Sequence, residues 1–368
     1  MKIRALYVVA EIVLPAMLLC FMATVFGRGE MERLSVGVVD YDFSATSRRV
    51  ISLLSAVPTL DVAHSYANEQ QARSAVSRGE IYGFVVVPPR FEADVEQNRP
   101  TQLRYYYHYA LMSVGGQLYA AFENALRLVA AAPVVATGEA LGVNERMLHS
   151  FVMPVVGVDV VLVNPTLNYT TYLAPPFYHV MLQVLVLLIT VYAVGSEVRD
   201  GTARQWLERN RGDIVRAVAY KLLPHGVMFG VMACVGDVVM YELVGVPREC
   251  PLWQIMTASV CLVAATMAVG VVIVALLPRL WMAMSVASMF GSLGATLCGV
   301  TFPLSAMYGV FAGAARIFPM MHFARLMGLQ TYAGMGLSAA WGHYVALLLM
   351  VAVSLGTLPL LRRRVERI

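Results

Sequence analysis

Long apolar runs alternate with short polar segments along the chain. A helix that crosses a membrane needs about 20 mainly apolar residues, and six runs meet this length: 5–27, 173–195, 217–244, 254–277, 281–303 and 341–361. The first run is too long for the apolar region of a signal peptide, and no small-residue cleavage site follows it. We therefore predict a polytopic α-helical membrane protein with six transmembrane helices.

Arginine and lysine are concentrated on one side of these runs. They precede the first run, follow the last, and crowd the segment 196–216 between the second and third. Cytoplasmic loops of membrane proteins carry such an excess of positive side chains. We therefore expect both termini and the loop 196–216 to be cytoplasmic.

The residues between the first two runs, 28–172, are expected to form an extracytoplasmic α/β domain inserted between helices 1 and 2. Stretches rich in β-branched and aromatic residues predict strands at 34–42, 81–89, 102–109 and 156–163. Helices are predicted at 44–54 and 68–78, with Ser44 and Asn68 as N-caps, and over 113–151. The nearly continuous apolar character of the first two strands favours a sheet covered on both faces.

The segment 304–340 is apolar but interrupted by prolines and glycines. Each half is too short to cross a membrane, and irregular backbone is tolerated at membrane depth only inside protein or along a cavity. We expect a re-entrant or interfacial helical pair on the outer side before the last transmembrane helix, 341–361. A plain external loop is the alternative.

The loop 196–216 has the pattern of a short exposed helix. Asp200-Gly201-Thr202 predicts a turn with Thr202 as N-cap, and 203–209 a helix with Trp206 and Leu207 exposed beside charged side chains. Such a surface is suited to docking a cytoplasmic partner. The alternative is a solvated loop whose charges only set the topology.

Composition supports a membrane protein and excludes some functions. The chain is 59% hydrophobic, with a mean hydropathy of +0.67 and a net charge of +4 that is too small and scattered for a nucleic-acid partner. A phosphate-binding loop requires Gly-Lys, whereas the two lysines follow Met1 and Tyr220. We expect no cofactor in this chain. No metal or disulfide spacing is expected among the cysteines, which are Cys20, Cys234, Cys250, Cys261 and Cys298.

A few polar residues in the apolar runs could carry protons or line a pathway, because intramembrane ionisable residues are often functional. The acids are Glu11, Asp237 and Glu242, and the histidines are His179 and His343. Our preferred interpretation is that the acids solvate helix ends or pair with Arg or His, with water reaching Asp237 and Glu242, and that the histidines pack. In the outer domain, the tyrosines could stack on a substrate or form a core edge: Tyr105, Tyr106, Tyr107 and Tyr109.

Four stretches resemble ABC-2 type transporter permeases of the drug-exporter-like branch with a large extracytoplasmic domain. GSEVRDGTARQWLERNRGDIVRAVAYKLLP (195–224) is similar to the family signature after the second span, with matches at Glu197, Gly201, Thr202, Leu207, Lys221 and Pro224. VGVVDYDFSATSRRV (36–50) resembles the start of the outer domain. VNPTLNYTTYLAPPF (163–177), which contains Asn164 and Pro165, resembles the approach to the second span. Residues 299–327, which contain Pro303 and Pro319, resemble the proline-broken region of the family between spans five and six.

The resemblance implies the permease of an ATP-driven exporter of amphipathic, drug-like or lipid-like substrates in the bacterial inner membrane. A separate cytoplasmic ABC ATPase would bind ATP and Mg and press on 203–209. The residues expected to couple to it are Glu197, Arg199, Gly201, Thr202, Arg204, Trp206 and Leu207. Membrane lipids, a second permease, identical or paralogous, and a periplasmic adaptor are further expected partners.

The beginning of the sequence departs from the family pattern. Members usually carry an amphipathic helix before the first span, whereas here the apolar run starts at Leu6. Either the start of the sequence is truncated or the helix is missing, and docking of the ATPase through the N-terminus is therefore an open question. Two other functions stay open: a proton-coupled transporter, and a membrane-anchored assembly or binding protein that transports nothing.

Overall fold

The computed structural model describes residues 7–25, 33–97, 99–108, 114–127, 168–277 and 279–366. The chain divides into two compact units. Unit 1 consists of Met1–Arg28 with Thr170–Ile368, and unit 2 of Gly29–Tyr169.

The described residues of unit 2 form a four-stranded sheet in the order β2-β1-β3-β4. β1 pairs in parallel with β2 and β3, and β4 runs antiparallel to β3. The strands are β1 (Leu34–Asp40), β2 (Leu60–Ser65), β3 (Gly83–Val87) and β4 (Arg104–Tyr107). The strand predicted at 156–163 lies outside the described residues.

β1 and β3 are buried almost throughout, because helices cover both faces of this sheet. One core contains Val36, Val85 and Phe122, and the other contains Val39 and Phe84. The helices are α2 (Ala45–Ser55), α3 (Glu69–Arg78), α4 (Phe91–Glu96) and α5 (114–127). The two predicted N-caps are confirmed, since their side chains accept backbone N–H groups of Ser47 and Gln71.

Sequence patterns did not predict β2 or α4. β2 lies at the sheet edge, and only its first residue, Leu60, is buried. An edge strand of this kind needs no alternating apolar residues. α4 has six residues and buries only Phe91, so it offers little helical periodicity.

Unit 1 is a helical bundle. α1 (Leu14–Val25) follows a π-helical turn, Val9–Val13. The other helices with predicted counterparts are α6 (Tyr169–Arg199), α7 (Ala203–Arg209), α8 (Ile214–Val238) with a π turn at Val239–Leu243, α9 (Leu252–Leu276), α10 (Leu280–Leu297) and α13 (Leu337–Glu366).

Five helices in the described part of the chain are long and apolar enough to cross a membrane: Thr170–Arg199, Ile214–Leu243, Leu252–Leu276, Leu280–Leu297 and Leu337–Glu366. Around the first predicted span, the apolar helix in the described residues is shorter, Val9–Thr24. The chain is therefore a mainly helical polytopic membrane protein, and the sixth span stays a prediction.

Three helices end at residues other than the predicted ones. α6 continues to Arg199 and α13 to Glu366, because charged residues extend a helix beyond its apolar run. α10 ends at Leu297, six residues before the predicted end. Gly299 has φ +89°, a left-handed conformation that stops a helix and favours glycine.

The proline-broken segment contains a 3₁₀ turn (Leu304–Ala306), α11 (Gly309–Ala315), α12 (Pro319–Leu326) and a π turn (Met327–Tyr332). α11 is mostly exposed, whereas α12 is buried along most of its length. The Tyr332 hydroxyl donates to the Thr171 carbonyl at 2.9 Å. Pro175, four residues later in α6, has no N–H to donate to that carbonyl. The backbone of this segment is thus tied to α6.

Candidate functional site

The loop predicted to couple to an ATPase is a compact turn between two candidate membrane helices. α6 ends at Arg199, and Gly201 has φ +70°, where a residue with a side chain would be strained. The Thr202 N–H donates to the Glu197 carbonyl at 3.0 Å, which closes the end of α6. α7 begins at the next residue and α8 begins after Asp213, whose carboxylate caps its first turn.

Glu197 joins three elements of this loop. Its carboxylate accepts the Thr202 hydroxyl and pairs with the Lys221 ammonium on α8. Both members of the ion pair are about four-fifths buried. Two motif positions in the turn and a third, 24 residues after Glu197, therefore meet at one carboxylate. Thr202 stands before α7 as predicted, but its side chain makes no cap hydrogen bond. The predicted capping role is wrong because the backbone of Thr202 is helical (φ −93°, ψ −2°) and not extended, as a capping residue requires.

Trp206 and Leu207 are buried, with exposed fractions of 8% and 6%, so their predicted exposure is wrong. Ala203 lies on the same face of α7, as expected for positions three and four residues apart. This face belongs to the core of unit 1. The Lys221 ammonium lies 5.8 Å from the centre of the Trp206 ring, which is within the range of a cation–π contact.

The opposite face of α7 is charged and exposed. Arg204 and Glu208 form an ion pair at 3.2 Å and remain mostly exposed. Gln205 and Arg209 point outward beside them. The helix therefore presents polar groups outward while its apolar face fixes it to the bundle.

A polar cavity of about 490 Å³ lies beside this face. Arg204 and Arg211 line one side, and Arg362 and Glu366 at the end of α13 line the other. The end of the last helix thus contributes to the same charged surface, a feature that spacing in the sequence could not reveal.

Arg199 and Asp200 form a separate, exposed pair at the turn, with Nε to Oδ1 at 2.7 Å. The hydrogen bond from Arg199 lowers the pKa of the Asp200 carboxyl below its ordinary value. The Arg199 guanidinium also lies 5.5 Å from the centre of the Tyr192 ring. Arg199 is therefore held near the turn and does not reach Glu197 in the described contacts.

The remaining motif residues lie elsewhere. Pro224 is inside α8, and Pro319 is the first residue of α12. Pro303 precedes the 3₁₀ turn. Asn164 and Pro165 lie outside the described residues.

The acids in the apolar runs all pair with His or Arg, as interpreted from the sequence. Glu11 pairs with His225, Asp237 with His179, and Glu242 with Arg248. Glu242 is half exposed, but Asp237 is fully buried. The expectation that water reaches Asp237 is wrong in this conformation, because the side chain is fully enclosed within unit 1.

The histidines and tyrosines also acquire partners. His343 Nδ1 lies 3.1 Å from His322 Nδ1, which links α13 to α12. The Tyr105 hydroxyl donates to Glu123 at 3.0 Å, and Tyr106 stacks on Phe84 on the other face of the sheet. Burial is the first cause that raises the Tyr105 pKa to about 12. These two tyrosines form a core edge; Tyr109 lies outside the described residues.

Together, the fold and the loop define a polytopic membrane protein that presents an anchored, charged helix between two candidate spans. The family model described as ABC-2 family transporter protein matches residues 6–358. The chain therefore belongs to this family, whose members are membrane permeases of ABC transporters and associate with an ABC ATPase. No curated protein and no solved structure matches the chain.

Proposed function

We propose that this chain is the permease subunit of an ATP-driven exporter, and that α7 receives the force of its ATPase. The observation that carries the proposal is the two-sided character of α7. Trp206 and Leu207 fix one face in the bundle, while Arg204 and Glu208 present charge outward. A partner that pushes on the charged face moves a helix that is attached to its neighbours.

The Glu197 carboxylate supplies the attachment to two of the longest helices. It accepts the Thr202 hydroxyl at the start of α7 and the Lys221 ammonium on α8, and it belongs to α6 itself. Displacement of α7 would therefore be transmitted to both α6 and α8. The end of α13 lines the same charged cavity and offers a third helix to the partner.

The finer features of the proposal are supported by the resemblance of the sequence to exporter permeases and by the distribution of its charges. The chain would have six spans, cytoplasmic termini and loop 196–216, and an outer α/β domain at 28–172, in the inner membrane of a bacterium. Two permeases, identical or paralogous, would assemble with two ATPases that bind ATP and Mg, and a periplasmic adaptor could join them. The substrate class is amphipathic, drug-like or lipid-like.

Charge reversal on α7 tests the docking. In the double variant Arg204→Glu with Glu208→Arg, the ion pair within the helix is kept but the pattern offered to the ATPase is reversed. We expect loss of co-purification with the ABC ATPase and of permease-stimulated ATP hydrolysis. The matched control is Arg78→Glu with Glu80→Arg, an exposed pair of unit 2. Unchanged binding and hydrolysis in the α7 variant would refute the proposal.

A second test uses the turn before α7. Gly201→Val places a β-branched residue at φ +70°, whereas Gly201→Asn introduces a residue that tolerates this conformation. We expect coupled ATP hydrolysis to fall in the valine variant and to persist in the asparagine variant. A non-transporting assembly protein would show no coupled hydrolysis in any variant or in the wild type. If the cysteine of the Arg204→Cys variant is labelled from outside intact cells, the loop lies on the outer side of the membrane and the proposal is contradicted.

A further inference from the structure

A cluster of polar side chains lies inside the helical bundle, away from the α7 loop. His179 on α6, Asp237 on α8 and Ser259 on α9 have exposed fractions of at most 1%. His179 Nε2 is 3.3 Å from Asp237 Oδ1 and 3.0 Å from Ser259 Oγ. The Phe323 ring of α12 packs on the imidazole, with ring centres 4.4 Å apart. Three helices and the interrupted segment thus enclose one titratable pair.

The surroundings assign the hydrogen on one ring nitrogen. His179 Nδ1 lies 2.8 Å from the carbonyl oxygen of Pro175. A carbonyl oxygen only accepts, so Nδ1 must carry hydrogen; this assignment follows from the hydrogen-bond network. Nε2 therefore holds either a second hydrogen or a lone pair directed at Asp237 and Ser259.

Counting donors shows that the cluster needs one more proton. With a neutral imidazole and an ionised carboxylate, two acceptors would face each other, and the single Ser259 hydroxyl proton could serve only one of them. Neither carboxylate oxygen of Asp237 has a hydrogen-bond partner among the described residues. A bare buried carboxylate is strongly unfavourable. One added proton, on Asp237 or on Nε2, makes the pair electrically neutral and supplies the missing donor.

No other charge in the described surroundings replaces that proton. Among the described residues, His179 is the one basic group within ion-pair distance of Asp237. The remaining titratable neighbours of Asp237 are Tyr178, Cys234 and Tyr241. Phenols and thiols are ordinarily neutral at neutral pH, and the Tyr178 hydroxyl donates to the Met232 carbonyl at 2.7 Å. From α9 and α12, the facing groups are Ser259 and Phe323.

We propose that His179 and Asp237 form a proton-binding site in the membrane domain, which holds one proton on Nε2 or on the Asp237 carboxyl and is closed by α12. The cover is attached through Tyr332, which donates to the Thr171 carbonyl. When the segment 319–332 moves away from α6, the proton exchanges with water. The site does not depend on docking of an ATPase, because its residues are remote in the sequence from α7 and share no contact with it in the described structure.

The protonation state can be measured on the complete wild-type chain in lipid nanodiscs. Nitrogen NMR of ¹⁵N-histidine distinguishes imidazolium from neutral imidazole, with His179 identified as the signal lost in His179→Gln. Infrared spectroscopy detects a protonated carboxyl, identified by its loss in Asp237→Asn. We expect one of the two forms, an imidazolium or a protonated carboxyl, at neutral pH. A neutral His179 beside an ionised Asp237 in the wild type would overturn the proposal.

Substitutions sharpen the result. Asp237→Asn preserves the size of the side chain, and we expect loss of whichever of the two signals the wild type shows. Glu242 is a half-exposed acid later in the same helical stretch and pairs with Arg248. Glu242→Gln should therefore change neither the imidazolium signal nor the carboxyl signal. If Asp237→Asn leaves both signals as in the wild type, the proton is not held by this pair and the proposal fails.

Hydrogen–deuterium exchange tests the cover. Tyr332→Phe removes only the hydroxyl that ties the segment to Thr171, so we expect the site proton to exchange faster than in the wild type. Tyr172→Phe is the matched control, because its hydroxyl ties α6 to the Val300 carbonyl, which lies outside the segment 319–332. Equal exchange in all three proteins would show that this segment does not close the site.

Discussion

Two ionisable pairs lie toward opposite ends of α6 and differ in how they are held. Glu197 meets Lys221 near the end of the helix, where each side chain retains about a fifth of its exposure. His179 meets Asp237 in the other half, where neither is accessible. Water and the Lys221 ammonium stabilise the first pair. The second depends on a proton that the protein must bind, so its charge and its contact change together when that proton leaves.

The largest expected effect comes from removing one member of the buried pair. Asp237→Ala leaves His179 without its ion-pair partner, and breaking a buried pair costs about 3–5 kcal/mol. We expect the free energy of unfolding in detergent to fall by that amount. Glu242→Ala, with a half-exposed acid, is the control and should cost about 1 kcal/mol or less. Equal losses in the two variants would remove the contrast between buried and exposed acids.

The anchor of α7 should give the next largest effect. Trp206→Ala deletes a buried ring, and losses of about 3–5 kcal/mol are typical for such sites, with the lower end expected at the edge of the bundle. Stability should fall and ATPase association should weaken together. Tyr220→Ala removes an aromatic ring that is mostly exposed on α8 and should change neither. A stable Trp206→Ala protein with full ATPase stimulation would show that α7 needs no anchor.

The Glu197–Lys221 pair should contribute less. A double-mutant cycle with Glu197→Gln and Lys221→Met measures the coupling free energy between the two side chains. We expect about 1 kcal/mol, at the upper end for pairs with partial exposure, decreasing as salt is added. A coupling as large as that between Asp237 and His179 would contradict the proposed difference between the two ends of α6.

The smallest effect concerns pH at the turn after α6. Because Arg199 lowers the pKa of Asp200 in the folded chain, the pair contributes stability above the unfolded pKa of about 3.9. That contribution is lost as pH falls through the lower folded pKa. Thermal unfolding from neutral to strongly acidic pH should therefore show a slight additional loss in the wild type that Asp200→Asn lacks. Parallel curves would mean that this exposed pair contributes nothing.

The sequence predicted the membrane helices better than the site. Apolar runs identified the five candidate spans to within a few residues, because hydropathy directly reflects the surroundings of a helix. The N-caps at Ser44 and Asn68 were also predictable, since capping is local. By contrast, Trp206 was predicted to be exposed because charged neighbours surround it in the sequence. Burial of one helix face depends on where the helix packs.

By itself, the sequence determined that this protein is a polytopic membrane permease with a charged helix between two spans, and the family match agrees. Tertiary structure alone decided which groups meet. Glu197 contacts Lys221, which lies 24 residues later in the sequence. His179, Asp237 and Ser259 come together from three separate helices. Hydropathy and capping are properties of neighbours along the chain, whereas a proton shared in the membrane interior requires distant side chains to be brought together and water to be excluded.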